Sequence, residues 1–331
     1  MLDNFVEEEI LNFDHDEVID KICDGLRQSV RKLKRRGVVV AISGGIDSSV
    51  TSALCTKAFG PNKVFGLLLP EYDSSKRSQS LGETQAKHLG IEYLTEEIGP
   101  TLQAIGCYRW RDEAMQRVFP NYNENWKSKI TITGGLSGVS NHFNLVVQDE
   151  NGDMHTERMG LKEYLQVVAA TNYKQRIRKT VEYFHADRLN YAVTGTPNRM
   201  EYDQGFFVKN GDGSADVKPI AHLYKLQVYS LARHLGLPDE ICSVIPTTDT
   251  YSLDQGQDEF YYALPYKEMD VALWCYNKKE PAAKLAEILG VDTERAENVY
   301  KDIENKRNAT SVLHWRPLTL EKVEGPITEP K

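Results

Sequence analysis

The segment Ser43-Gly44-Gly45-Ile46-Asp47-Ser48-Ser49 lies between an apolar, largely β-branched run, Val38 to Ile42, and a stretch with Val50, Ala53, Leu54 and Ala58 at helical spacing. A strand, a glycine turn and a helix start in that order leave few folds open. The two glycines remove side chains that would block close backbone approach. The first helical turn offers unpaired N–H groups and the positive dipole end to an anion. The segment is thus expected to cradle a pyrophosphate. It lacks the Lys-Ser/Thr ending of a GxxxxGK[ST] loop, which leaves Asp47 to hold a magnesium ion and suggests nucleotide cleavage that releases pyrophosphate.

The chain around this turn continues the alternation. Lys63 to Pro70 has the pattern of a buried strand, Ser78 to Leu89 of an amphipathic helix and Ile91 to Leu94 of a third strand. Strand, helix and strand in succession imply right-handed parallel βαβ units. The pattern returns with a helix over Tyr173 to Ala186 and a strand over Tyr191 to Thr194. The expected fold class is α/β: a doubly wound parallel sheet with helices on both faces and ligands at the carboxyl ends of its strands. Residues 1–317 are expected to form one domain and 318–331 a mostly mobile tail. Residues 102–166, with Tyr108, Trp110, Phe119, Tyr122 and Trp126, are expected to be an insertion. Within it, Asn151-Gly152 signals a hairpin joining Asn144–Gln148 to Met154–Arg158. This insertion could be a lid, a dimer-contact decoration or a substrate-selecting element.

Composition narrows the function classes. Against 40 Lys and Arg stand 48 Asp and Glu, a net charge of −8, so no global field favours nucleic acid or an anionic membrane. The basic run Arg31 to Arg36 closes a helical stretch that starts near Asp16, where cations complement the dipole. Five scattered cysteines without a CxxC pair suit a reducing compartment. The acidic N-terminus does not have the pattern of a signal peptide, and no apolar run has the length of a membrane span. The expected location is the cytoplasm.

The Ser-Gly-Gly-x-Asp-Ser pattern at Ser43 to Ser48 resembles the signature of the N-type ATP pyrophosphatases, which adenylate a substrate oxygen before a nucleophile displaces AMP. A second block, Gly195-Thr196-Pro197-Asn198-Arg199-Met200-Glu201 followed by Gly205-Phe206-Phe207-Val208-Lys209-Asn210-Gly211-Asp212-Gly213-Ser214-Ala215-Asp216, closely resembles that of the NAD synthetases. Asn172, Arg176, Arg178, Lys225 and Pro246-Thr247 extend the likeness over most of the chain outside the insertion.

The resemblance implies a role for each matching residue. Ser43, Gly44, Gly45, Ile46, Asp47, Ser48, Ser49, Thr196, Lys225 and Thr247 would bind ATP, with Asp47 and Glu201 sharing Mg²⁺. Arg176, Lys209 and Asp216 would bind the acyl substrate deamido-NAD. Asp212 would stand near the incoming ammonia as its proton acceptor, making Asp47, Lys225 and Asp212 the catalytic set. Phe206 and Phe207 could stack on the nicotinate ring or simply belong to the core. The substrate carboxylate would attack the α-phosphorus of ATP, pyrophosphate would leave, and ammonia would displace AMP. Only 42 residues precede Ser43, short of the amidase domain of glutamine-dependent members, so free ammonia or a separate glutaminase is the expected nitrogen source. The resemblance also implies a homodimer. Two other functions stay open: a related ligase that amidates a different carboxylate, and a non-catalytic nucleotide-binding protein.

Overall fold

A computed structural model of the protein describes residues 1–133, 142–244, 251–253, 256, 261–262 and 264–321; the C-terminal residues 322–331 of the expected tail lie outside them. The main sheet has four parallel strands: β1 (Val38–Ala41), β2 (Val64–Leu68), β3 (Glu92–Thr95) and β7 (Ala192–Thr194), in the order β3-β2-β1-β7. Successive side chains of a strand face opposite sides, so one run of valines supplies two cores. Val38 and Val40 pack against the helices His15–Lys32, Ile46–Phe59, Lys76–Leu89 and Lys225–His234. Val39, with Phe65, Leu67 and Val193, packs against Cys107–Gln116 and the long helix Leu161–Leu189. Helices on both faces of a parallel sheet are the doubly wound arrangement expected from the alternating pattern.

The long helix departs from expectation. It begins at Leu161 rather than Tyr173, inside the stretch read as an insertion. Much of its buried face is polar, with Thr171, Lys174, Lys179, Glu182 and His185 among the buried residues. An apolar repeat is therefore missing where the eye looks for one.

Between the helix Cys107–Gln116 and this long helix stands a separate antiparallel sheet of β4 (Lys127–Thr133), β5 (His142–Gln148) and β6 (Met154–Arg158). The expected hairpin is present, with Asn144 opposite Arg158 and Gln148 opposite Met154. Its turn is fixed by the Asp149 carboxylate, which accepts from the Asn151 and Asp153 N–H groups at 2.8 and 3.0 Å, and by Gly152 at φ +90°. On its inner face Ile130, Leu145 and Val147 form a core of their own with Met115, Val167 and Tyr251.

A buried ion network joins the end of β2 to the long helix. Lys174 Nζ donates to Glu71 at 2.9 Å and to Asp73 at 2.6 Å, Arg111 reaches Asp73 at 2.6 Å, and Tyr108 donates to Glu71 at 2.8 Å. Burial alone would push the Asp73 carboxyl up, but Lys174 and Arg111 outweigh it and hold the group below its usual range.

Candidate active site

The carboxyl ends of β1, β2 and β7 open into one cavity of about 1340 Å³. The glycine turn forms one wall. Gly44 has φ +82°, and a Cβ there would come within 2.2 Å of the Ser78 carbonyl oxygen in the neighbouring helix, so no other residue fits. Ser48 Oγ accepts from the Ser43 N–H at 3.2 Å and donates to the Gly45 carbonyl at 3.0 Å, closing the loop on itself. Ser49 Oγ also donates to that carbonyl, at 2.9 Å. Ser43, Gly44, Gly45, Ile46, Asp47 and Ser48 line the cavity, whereas Ser49 is buried beneath it and shapes the turn. The helix Ile46–Phe59 starts on Gly45 with no side-chain cap, leaving first-turn N–H groups to meet an anion.

Asp47 follows β1 and Glu201 follows the adjacent strand β7, and Asn198 ties them together. Asn198 Nδ2 donates to Asp47 Oδ1 at 3.1 Å. The Asn198 side-chain oxygen accepts from the Glu201 N–H, while the Glu201 carboxylate accepts from the Asn198 N–H at 3.0 Å, a reciprocal helix cap. Lys225, buried at the start of its own helix, donates to the other Asp47 oxygen. Burial opposes its charge, yet Asp47 and Glu201 together raise its pKa. Among the described residues no group of three or more His, Cys, Asp or Glu side chains is placed to hold a metal. The two carboxylates at the cradle match the one or two that Mg²⁺ takes besides phosphate oxygens and water.

The other expected residues separate into two places. Thr196 and Asp212 line the cavity. Asp212 accepts from the Val208 N–H at 2.8 Å, and burial raises its pKa against the pull of that N–H and of Lys179. Arg176, Lys209 and Asp216 are outside the cavity lining and exposed. Arg176 Nε donates to the Lys209 carbonyl at 3.3 Å, Lys209 Nζ donates to the Val312 carbonyl at 2.9 Å, and Asp216 accepts from the Val193 N–H at 2.8 Å. Thr247 lies outside the described residues. Phe206 and Phe207 both line the cavity; Phe206 packs on Tyr261 at 4.6 Å and Phe207 on His314 at 5.1 Å.

Several site residues escaped the sequence reading. Asn198 carried a usable signal, since Asn three residues before Glu is a helix-capping pattern. Lys179 and Glu182, a buried pair 2.7 Å apart that lines the cavity beside Asp212, carried none beyond their place on a helix. Asp270, outside the cavity lining but buried against the start of the Lys225 helix, carried none either. It is buried, accepts from the Leu226 N–H at 2.7 Å, and its carboxyl is pushed up to about 7 by burial. An unfolded aspartate titrates near pH ~3.9, so between about pH 4 and 7 the native state holds a proton that the unfolded chain has lost. The stability this proton confers is complete below about pH 4 and is lost as pH rises through about 7. Asp270→Asn is therefore expected to gain on the native protein by up to about 1.4 kcal/mol per pH unit across that window. Urea unfolding at several pH values, without nucleotide or magnesium, checks this; a pH-independent difference would show that Asp270 does not titrate there.

Fold and site together define a nucleotide-binding α/β protein with a glycine turn, a carboxylate pair and a buried lysine at the ends of its strands. The NAD synthase profile matches residues 18–159 and 144–310, and the chain belongs to that family. It is 54% identical over 302 residues, 91% of its length, to the NH(3)-dependent NAD(+) synthetase of Mesorhizobium japonicum, of which 95% is covered. NMN synthetase from Francisella tularensis shares its fold at TM-score 0.65 and 22% identity, covering 93% of this chain and 99% of that one. NH3-dependent NAD synthetase from Campylobacter jejuni does so at TM-score 0.62 and 22% identity, covering 93% and 100%. No described helix is long and apolar enough to cross a membrane.

Proposed function

We propose that this chain is an ATP-dependent carbon–nitrogen ligase that amidates deamido-NAD to NAD with free ammonia. The bridged arrangement of Asp47, Asn198 and Glu201 at the mouth of the cradle carries the reading, joined by Lys225. The uncapped N–H groups behind Gly45 take the departing pyrophosphate, and Lys225, held by Asp47, adds a fixed positive charge facing the phosphates. Asp47 and Glu201 would hold Mg²⁺, which supplies charge neutralisation to the phosphates when bound. The acyl carboxylate forms a bond to the α-phosphorus as the bond to pyrophosphate breaks. Asp212, its pKa raised by burial, accepts the proton that ammonium must lose before neutral ammonia attacks and AMP departs.

Arg176, Lys209 and Asp216 are best explained as a substrate surface completed by a second copy of the chain. The exposed face of the long helix that carries Arg176 also presents Leu165 and Phe184, which are 54% and 62% exposed and would be covered in a homodimer. Five free, buried cysteines fit a cytoplasmic location. Pyrophosphate release from ATP with Mg²⁺ and ammonium tests the function. Deamido-NAD is expected to support turnover and yield NAD, and a panel of other carboxylic acids to support little. Turnover with a different acid alone would replace the substrate, and no turnover with any would remove the ligase reading.

A further inference from the structure

The inner face of the β4–β5–β6 sheet runs past the edge of its own core. Ile130, Leu145 and Val147 on that face are buried, but the next pair in register, Ile132 opposite Phe143, is only partly covered and lines the cavity. Phe143 stacks on Tyr164 of the long helix, ring centroids 3.6 Å apart and planes within 13°, and Val168 continues the surface one turn on. The long helix extends this wall into a graded rail. Tyr164 and Val168 are followed on its cavity side by Thr171, Asn172 and Gln175, then by Lys179 and Glu182. From Tyr164 to Glu182 the rail is about 27 Å long at ~1.5 Å per residue.

Its charged end stands beside Asp212, where the ammonia chemistry belongs, and its flat apolar end is a rail's length away. The cavity of about 1340 Å³ exceeds the ~300–1,000 Å³ that usually serves a single small ligand. Adenylation requires ATP and the acyl substrate there together. The phosphates belong to the cradle, which leaves a nucleobase to be housed away from the reacting atoms. A planar base satisfies a stacked aromatic face with apolar flanks, and the Thr171, Asn172 and Gln175 side chains border it with groups that can hydrogen-bond a base edge.

We propose that Phe143, Tyr164, Ile132 and Val168 form a nucleobase platform, through which the β4–β5–β6 sheet takes part in substrate binding. The inference rests on the ligase reading for the pair of ligands. The base belongs either to ATP or to the adenosine end of the dinucleotide.

Calorimetric titration of the full-length protein separates these sources. ATP is titrated alone, and deamido-NAD in the presence of α,β-methylene ATP, for the native protein, Phe143→Leu and Phe143→Ala. The affinity for one of the two ligands is expected to fall about tenfold in Phe143→Ala and less in Phe143→Leu, and the ligand affected names the source. Thermal unfolding of each variant reports whether the sheet is intact. If Phe143→Ala does not fold, the leucine variant, which keeps the apolar packing, decides. Dissociation constants within twofold of native for both ligands in a folded variant would overturn the platform. Failure of the native protein to bind deamido-NAD would instead count against the proposed substrate, with the ATP titration still testing the platform.

Discussion

Asp47→Asn is expected to lower turnover by about 10²–10³-fold while leaving the fold intact. The amide keeps an oxygen where Asn198 donates and keeps the shape of the first helical turn, so the cradle retains its form. The charge is what is lost. Asp47 supplies one of the two carboxylates that Asn198 bridges and the hydrogen-bond partner of buried Lys225. Without it Glu201 would have to balance the lysine and the divalent cation of the proposed mechanism alone. Pyrophosphate release measured across a magnesium titration should show a lower plateau and a higher half-saturating concentration. A variant with turnover within threefold of native at ordinary magnesium would show that Asp47 does not hold the metal, and the proposed mechanism would lose its anchor.

Lys174→Met is expected to cost about 3–5 kcal/mol of stability, the range for removing one partner of a buried ion pair. The Lys174 side chain is 1% exposed and faces Glu71 at 0% and Asp73 at 12%, so its loss strands the buried Glu71 carboxylate and takes one of two cations from Asp73. Arg111 still covers Asp73, but Glu71 keeps only neutral donors among the contacts described, the Tyr108 hydroxyl and the Asp73 N–H. Adding Glu71→Gln and Asp73→Asn to Lys174→Met should recover most of the loss, because the neutral replacements strand no carboxylate and Arg111 keeps its 2.8 Å pair with Asp112. Urea unfolding curves of the single and triple variants measure both effects. A single-variant loss under 1 kcal/mol would mean that water or a side-chain rearrangement reaches the carboxylates.

The parts of the fold that were legible in the sequence are those where local pattern and tertiary environment agree. Val38 to Ile42 is apolar on both faces because the strand is buried on both, and Gly44 stands where only glycine fits. Asp149 to Asp153 carries its own turn chemistry. The long helix was half hidden because Lys174, Lys179 and Glu182 are buried through ion pairs that no periodicity reveals. Asp47 and Glu201 stood out as motif residues. Their connection through Asn198 depends on how β7 lies beside β1, which a linear reading does not supply. The contribution of Ile132 and Phe143 likewise became visible only once the sheet register set them side by side at the cavity.

The amide of Asn198 reaches across 151 positions of chain to meet Asp47. Closing a loop of that length costs more chain entropy than closing a local turn. The carboxylate of Asp47 is therefore oriented by the packing of β7 beside β1 and not by the glycine turn alone. Substitutions that loosen this strand pairing are expected to disturb Asp47 while leaving the turn itself intact.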